Sequence, residues 1–342
     1  MKYFNLKQFI CLSLSSTMIS LASFSSSIAT PDLTQPLTYI YDEVILPNAQ
    51  SAHLSCERLA TALASDQKVN HVDTVRPPFL QLIKDWKAVQ TTYILGELNE
   101  DFLDTPGRID IFKQGKEDWQ AQLTRALNGT NDPKTALFKY SYRSINALEY
   151  ILFQDEQVTE REQQFAHYIT QSLCTQYKEI AQAYQDARPV FFNEPDKSLA
   201  NIVHSLSSSI FSTKDWRIGD VAGLTRKYKN KPDLRRAEYA LSGYSGAALT
   251  SIFTTQQQVF AYTQKNGLQS ILTAYDEAKL GQDIDHNLEN ILSILKTAKD
   301  DASLFTQANK LYDISNQLYQ QYYISMIAAL PVVAKVLDAD GD

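Results

Sequence analysis

The chain has 342 residues, of which 39 are acidic and 32 are basic, so its formal net charge at neutral pH is −7. This acidic balance argues against a nucleic-acid-binding protein, because phosphate binding needs a clustered basic surface. The length favours roughly two domains over one small core.

The N-terminus has the pattern of a secretory signal peptide. Lys2 and Lys7 supply positive charge, an apolar and serine-rich stretch covers residues 9–24, and small residues lead to a cleavage point after Ala29. Cys11 lies near the start of the apolar stretch rather than at its end, which favours a soluble exported protein over a lipid-anchored one. No later segment approaches the ~18 apolar residues that a membrane span needs. We therefore expect a periplasmic or cell-surface-associated protein without a transmembrane span in its mature form.

Side chains that are mostly apolar recur at steps of three and four in two long segments, which places each set on one face of a helix. The first set contains Phe79, Ile83, Trp86, Gln90 and Tyr93. The second set contains Phe165, Ile169, Leu173, Tyr177, Ile180 and Tyr184. Strand-like alternation is scarce, so the sequence predicts an all-α fold.

Further helices and their breakers predict the domain organisation. The predicted helices cover residues 38–65, 115–127, 135–153, 197–212, 244–265, 284–299 and 302–336. Prolines and glycines break the pattern between them, and the stretch that contains Pro189 and Pro195 also changes in composition. We place a domain boundary there. The prediction is a signal peptide at 1–29, an N-terminal helical bundle at 30–190 and a C-terminal helical bundle at 191–342.

Three features that are close in sequence resemble the imelysin-like family. They are Trp86 with Gln90 on a helix, the segment Arg108–Phe112, and the segment Ser144–Phe153. In that family a helix with a Trp ends near a Gly-Pro pair, an Arg-Ile-x-Phe-Trp-Pro segment follows, and a further helix bears a Gly-x-His-x-x-Glu signature or a Leu-Pro-Ala-Leu-Glu-Tyr variant. Here the Gly-Pro pair is Gly96-Glu97, and the Arg108 segment lacks Trp-Pro.

The second half of the chain supports the same resemblance. The segment Ala237–Ser245 looks like the family's Glu-Ser-Trp-Arg-Ser-Gly-Arg-Ser segment, and Asp338–Asp342 looks like its Asp-Gly-Asp ending. The resemblance therefore covers nearly all of the mature chain. It implies a fold of two packed helical bundles, in agreement with the helical periodicity.

The metal-binding part of the family signature is altered. A helical His-x-x-Glu places imidazole and carboxylate on one face, close enough to share a metal ion. This chain has Ser144 at the Gly position and Asn146 at the His position, while Glu149 is kept. Because Asn offers only a neutral amide oxygen, a zinc-type site would lose its nitrogen ligand. The sequence therefore does not support an active metallopeptidase.

Two roles remain open for Glu149. It is either a ligand or a buried carboxylate that holds the bundle together by pairing with Arg108 or Arg143, since a buried charge needs a partner in both cases. Asn146 is most simply a residue that hydrogen-bonds one helix to another. Trp86 and Gln90 are more typical of core than of a cofactor site.

The resemblance implies a role linked to iron, because imelysin-like proteins include iron-regulated and iron-uptake members. The leading hypothesis is a non-catalytic binding or accessory protein whose ligand is iron or another divalent or trivalent metal, or whose partner is an iron-uptake component. One alternative is a metal-dependent peptidase of the imelysin type with Glu149 as ligand or base. The other is an interaction module for a surface or haem-related partner. The candidate site combines Glu149, Asn146, Ser144, Arg108 and Glu97 with Arg236, Glu238, Ser242 and Ser245 from the second half.

Two cysteines remain after signal removal, Cys56 and Cys174. In an oxidising compartment they either pair or stay as two buried thiols on helix faces, and sequence alone does not bring them together. A disulfide across so long a loop would contribute about 4 to 5 kcal/mol in the chain-entropy treatment.

Overall fold

The computed structural model describes residues 31–64, 72–113 and 117–333. The predicted signal peptide and the Asp338–Asp342 segment lie outside these ranges. Within them the chain forms helices and contains no β-strand, which confirms the all-α prediction. From Pro31 onwards the chain is one compact unit, and the division into bundles at residue 190 stays a prediction. None of the helices in the described ranges has both the length and the apolar character that a bilayer crossing requires.

Among its described residues, the first half of the chain contains nine α-helices between Thr34 and Asn193. They are α1 (Thr34–Tyr39), α2 (Leu46–Ala62), α3 (Arg76–Thr91), α4 (Leu95–Leu98), α5 (Thr105–Ile109), α6 (Trp119–Asn128), α7 (Pro133–Ala136), α8 (Ile145–Phe153) and α9 (Glu160–Asn193). A π-helical segment, Ile40–Ile45, joins α1 to α2 without a break. Short 3-10 turns occupy Val72–Thr74, Glu100–Phe102 and Tyr140–Arg143.

The second half of the described chain continues the helical pattern. Its α-helices are α10 (Pro195–Ser212), α11 (Asp220–Ala222), α12 (Ser245–Phe260), α13 (Gly267–Ala274), α14 (Ala278–Thr297), α15 (Asp301–Phe305), α16 (Ala308–Gln320) and α17 (Ile327–Ala329). Two further π-helical segments, Thr213–Gly219 and Gln321–Met326, follow α10 and α16. A 3-10 turn covers Leu234–Arg236.

The long helix α9 corrects one predicted break. Thr159 begins it with a capping box, in which its hydroxyl accepts from the Glu162 N–H while the Glu162 carboxylate accepts from the Thr159 N–H. The helix then continues through Pro189 to Asn193. A proline this close to a helix end removes a single backbone hydrogen bond, and the preceding turns of α9 pack along α2. Pro189 therefore does not end the helix, whereas Pro195 begins the next one.

Two predicted helices are shorter than their periodicity indicated. The segment 135–153 contains only α7, a 3-10 turn and α8, because Ser144 is an extended residue that caps α8. The segment 302–336 is divided into α15, α16, a π-helical segment and α17. Apolar spacing marks the buried face in both cases but does not show where the backbone breaks.

Helix α3 occupies the central position for the site described below. It packs on α2 within the first half and on α12 from the second half. Its predicted apolar face is buried at Phe79, Ile83 and Trp86, and the Trp86 ring lies 5.5 Å from that of Tyr177 on α9. Polar residues on α3 therefore lie where the two halves of the chain meet.

A disulfide joins Cys56 on α2 to Cys174 on α9, with the two Cα atoms 5.4 Å apart. The bridge links residues 118 positions apart. It therefore fixes the longest helix of the first half to α2, which also contacts α3.

Candidate functional site

The motif helix α8 begins at a serine cap. The Ser144 hydroxyl accepts a hydrogen bond from the Ala147 N–H at 3.1 Å and donates one to the Ser141 carbonyl at 3.1 Å. Serine favours this position because its oxygen satisfies a backbone N–H that the first helical turn leaves without a partner. Ser144, a candidate ligand in the sequence, is thus used to start the helix.

Glu149 projects from α8 onto the second half of the chain and is only 6% exposed. Its Oε1 accepts two hydrogen bonds from Ser242, from the backbone N–H at 2.9 Å and from the hydroxyl at 2.7 Å. Burial raises the pKa of the Glu149 carboxyl to about 7; the Ser242 hydrogen bonds oppose this shift, and the nearby Glu238 adds to it. The carboxyl is therefore held by neutral donors, and burial favours its protonated form more than in a solvated glutamate.

Asn146 also hydrogen-bonds within the protein. Its Oδ1 accepts from the Ile111 N–H at 2.8 Å. The residue is buried and fastens α8 to the loop after α5, so its partner is loop backbone rather than the second helix that the sequence suggested. The amide oxygen that replaces the family's imidazole is thus engaged with the backbone.

The residues present do not fit the metal site that the family signature implies. Asn146 and Glu149 each use an oxygen in protein hydrogen bonds, and the imidazole ligand is missing. Across residues 31–64, 72–113 and 117–333, no group of three or more His, Cys, Asp or Glu side chains is arranged to hold a metal ion. We therefore derive no metal-dependent step from this helix.

Arg108 does not pair with Glu149, which was one of the pairings that the sequence suggested. Its guanidinium is partly exposed, lies 3.9 Å from the Asp104 carboxylate and stacks over the Tyr140 ring at 5.2 Å. Arg143 stacks over the same ring at 4.9 Å. The expected pairing of Glu149 with either arginine is therefore wrong, because these guanidinium groups lie against Tyr140 while Glu149 faces Ser242.

A buried charge cluster lies beside the motif helix and consists of Lys87, Asp110, Arg217 and Glu238. The Lys87 ammonium contacts the Asp110 carboxylate at 2.6 Å and the Glu238 carboxylate at 2.5 Å. The Arg217 Nε donates to the other Glu238 oxygen at 2.6 Å. Gln90 joins the two cations, because its Oε1 accepts from Lys87 at 2.8 Å and from Arg217 at 3.2 Å. The cluster pairs two cations with two anions and connects both halves of the chain.

Asp110 is the anion of this cluster that the structure stabilises most clearly. Burial alone would raise the pKa of its carboxyl, but the charge and hydrogen bond of Lys87 outweigh that effect and hold the pKa at about 2. The Trp86 indole N–H donates to the same oxygen as Lys87, at 3.0 Å. Asp110 therefore stays ionised despite being almost fully buried.

The sequence offered four candidate site residues from the second half of the chain, and the structure separates them into two groups. Glu238 and Ser242 reach the site through their contacts with Lys87 and Glu149, and the Ser245 hydroxyl supports them by donating to the Glu238 carbonyl at 2.6 Å. Arg236 lies elsewhere, with its guanidinium over the Tyr228 ring at 4.2 Å. Three of these four residues thus lie beside Glu149 or the buried charge cluster, and their role in a functional site stays a prediction.

Sequence reasoning missed Lys87, Asp110 and Arg217 as functional candidates. A signal for Lys87 was present, because it follows Trp86 and lies three residues before Gln90 on a helix that the apolar pattern marks as buried. A lysine at such a position needs a buried anion as partner. Arg217 lies on the π-helical segment Thr213–Gly219, which apolar spacing does not reveal; such segments occur often at functional sites.

A cleft of about 390 Å³ opens next to the buried charge cluster. We call it the serine cleft, because four serines of α10 line it together with residues of α3, α4 and the π-helical segment. The lining includes Gln90, Tyr93, Glu97, Asp110, Phe112, Asn201, His204, Ser205, Ser208, Ser209, Phe211, Ser212, Trp216 and Arg217. Glu97, an exposed residue of α4, therefore belongs to this cleft, whereas Glu149 is not part of its lining.

The fold agrees with that of known proteins to which the chain is similar. An imelysin-like protein from Psychrobacter arcticum 273-4 has a TM-score of 0.74 at 17% identity, over 88% of this chain and 96% of that one. A candidate iron-regulated protein A precursor from Parabacteroides distasonis has a TM-score of 0.60 at 11% identity, over 86% and 95%. No curated protein matches the chain. The family model described as Imelysin matches residues 45–321, most of the chain, which therefore belongs to the imelysin family.

Proposed function

We propose that this imelysin-family chain is an exported, non-catalytic binding or accessory protein that acts in iron acquisition. The proposal that the protein is non-catalytic rests on the hydrogen bonds made by the motif helix α8. Asn146 and Glu149 each accept hydrogen bonds from the protein itself. Their oxygens stabilise the contact between α8 and its neighbours.

A peptidase mechanism has little support in this arrangement. Metal-assisted hydrolysis needs a bound metal that activates water, and a base within reach of that water. The pKa of Glu149, about 7, would suit a general base, but its carboxylate is buried against Ser242 and does not line the serine cleft. This placement does not favour Glu149 as a base toward a substrate in the serine cleft.

Export is supported by two independent features. The N-terminal segment has the charge and apolar pattern of a signal peptide. The bond between Cys56 and Cys174 suits an oxidising compartment, because disulfides rarely persist in the cytosol. Together they favour the periplasm or the cell surface.

The link to iron comes from the family and from the name of the Parabacteroides neighbour. Direct chelation is not the favoured route, since no metal-holding group of side chains occurs among residues 31–64, 72–113 and 117–333. We therefore propose that the protein serves iron uptake through a ligand or partner bound elsewhere on its surface.

Growth under iron limitation tests the role. A strain that lacks the protein should grow more slowly than its parent only when iron is scarce. Wild-type protein and Glu149→Gln should both restore growth, because Gln keeps an oxygen for the Ser242 N–H and has no acid-base function. Unimpaired growth of the deletion strain would remove the iron role. Failure of Glu149→Gln at a normal protein level would contradict a non-catalytic function.

Peptide cleavage tests the enzymatic alternative directly. The purified mature chain, incubated with a peptide library with and without a chelator, should release no new N-termini. Elemental analysis of the same preparation should find iron and zinc well below one atom per chain. Chelator-sensitive cleavage that Glu149→Gln abolishes would overturn the proposal, and cleavage unchanged by Glu149→Gln would indicate a contaminating peptidase.

A further inference from the structure

The serine cleft has one hydroxyl-rich wall and one aromatic wall. Ser205, Ser208, Ser209 and Ser212 follow the spacing i, i+3, i+4 and i+7 on α10, which places them on one helix face. The aromatic lining comes from Tyr93, Phe112, Phe211 and Trp216. At about 390 Å³ the cleft is within the range of about 300 to 1,000 Å³ typical of small-molecule sites.

The two buried charges that line the cleft are already paired within the buried charge cluster. Arg217 and Asp110 line it, but Arg217 is bound to Glu238 at 2.6 Å and Asp110 is bound to Lys87 at 2.6 Å. An ionic ligand would lose its hydration and would have to compete with these buried pairs, which is costly. The arrangement therefore favours a neutral ligand that offers hydroxyl groups as both donors and acceptors.

Asn201 supplies a polar group that the protein leaves unsatisfied. The residue lines the cleft and is only 9% exposed. Its Nδ2 is buried and has no hydrogen-bond partner among the described residues. A buried donor without a partner is unfavourable, and because Asn201 lines the cleft a ligand oxygen there can supply the missing hydrogen bond.

We propose that the serine cleft binds a neutral polyhydroxylated ligand of the sugar class. Serine hydroxyls, the Gln90 and Asn201 amides and the paired charges match the alternating donors and acceptors of a sugar ring. Aromatic side chains such as Trp216 cover its apolar C–H face. The sugar is either free or the terminal unit of a glycan. This inference goes beyond the proposed iron role and does not rest on it.

Calorimetric titration of the full mature chain tests the inference. The probes are glucose, galactose and N-acetylglucosamine, with maltose and chitobiose as disaccharides and citrate as an anionic comparison. We expect saturable binding of at least one sugar and none of citrate. Equal affinity for a disaccharide and its monosaccharide would identify a free sugar as ligand, and tighter binding of the disaccharide would identify a glycan end. Binding of citrate alone, or of no probe, would overturn the proposal.

Trp216→Ala tests the aromatic wall. It should weaken sugar binding about tenfold or more, since stacking over a sugar face is lost. The matched control is Trp119→Ala, because Trp119 is also partly buried but packs against Tyr150, outside the cleft. Equal sugar affinity in the two variants would contradict the proposal.

Asn201→Leu separates binding from stability. Removing the unsatisfied amide should leave the thermal unfolding midpoint unchanged or higher, yet weaken sugar binding about tenfold. A merely structural role would predict no effect on affinity. Asn48→Leu is the matched control, since the Asn48 Nδ2 is likewise buried without a partner but the residue does not line the cleft. Sugar affinity unchanged in Asn201→Leu would overturn the assignment.

Discussion

Glu149 and Asp110 are two buried carboxyls whose surroundings shift their pKa values in opposite directions. Asp110 accepts from the Lys87 ammonium and from the Trp86 indole N–H, and its pKa is held at about 2. Glu149 accepts from the N–H and hydroxyl of Ser242, and burial raises its pKa to about 7. Glu149 carries the family motif, but Asp110 is the one that lines the cleft. The comparison shows that the charge of a buried carboxyl depends on whether a cation lies beside it, and not on whether the residue belongs to the family motif.

Among the variants that test this comparison, removal of the Lys87 cation should give the largest loss of stability. Lys87→Met leaves Asp110 and Glu238 buried without their shared cation, so the free energy of unfolding should fall by about 3 to 5 kcal/mol. Urea unfolding at pH 7 measures the loss. Lys139→Met, at an exposed pair with Glu117, is the control and should leave the urea midpoint nearly unchanged. A midpoint for Lys87→Met equal to that of wild type would show that the cluster contributes nothing to stability.

The raised pKa of Glu149 predicts a pH dependence of opposite sign to that of Asp110. Because the folded pKa, about 7, exceeds the ordinary value of 4.5, the folded state binds more protons than the unfolded state between these values. The Glu149 contribution to stability is therefore complete below pH 4.5 and is lost as pH rises to 7, by up to roughly 3 kcal/mol. Asp110, with its lowered pKa, loses its contribution only as pH falls from about 4 towards 2.

Urea unfolding of wild type and Glu149→Gln from pH 3 to pH 8 measures this difference. Relative to Glu149→Gln, which does not titrate, wild type should lose stability as pH increases. Parallel curves for the two proteins would mean that the Glu149 carboxyl is solvated like a surface group. A relative gain of wild type with pH would mean that a cation pairs with Glu149 after all.

Loss of the Ser144 cap should give the smallest loss of stability among these variants. Ser144→Ala removes the acceptor for the Ala147 N–H, so the free energy of unfolding should fall by about 1 kcal/mol. The control is Ser208→Ala at an exposed position within α10, where alanine should have no effect or a slightly stabilising one. Equal stability of the two variants would show that α8 does not depend on its cap.

The helical fold could be predicted because apolar spacing records which face of a helix is buried. Phe79, Ile83 and Trp86 are buried as expected. Helix ends were harder, since Pro189 is tolerated near the end of α9. The family resemblance also brought Glu149, Glu238 and Ser242 into one neighbourhood, although it could not tell which of them would meet a cation.

The cluster itself could not be predicted from local patterns. Lys87 and Glu238 are 151 residues apart, and their contact exists only once α3 has packed against the second half. The motif segments suggested pairing with Arg108 or Arg143 as one of two roles for Glu149, but both guanidinium groups lie over the Tyr140 ring instead. The serine cleft depends on the placement of α10 beside α3, which no spacing within α10 records.

The bond between Cys56 and Cys174 has a consequence for the order of assembly. In the oxidised chain, residues 57–173 form a covalent ring that carries Lys87, Asp110 and Glu149, whereas Arg217 and Glu238 belong to the open tail that follows. The ring confines the first set even when the protein is unfolded. Completion of the charge cluster is therefore a docking of tail onto ring. Lys87 and Glu238 are 151 residues apart along the backbone, but Lys87 lies 31 residues from Cys56 and Glu238 lies 64 residues from Cys174, so the crosslink shortens the chain path between them.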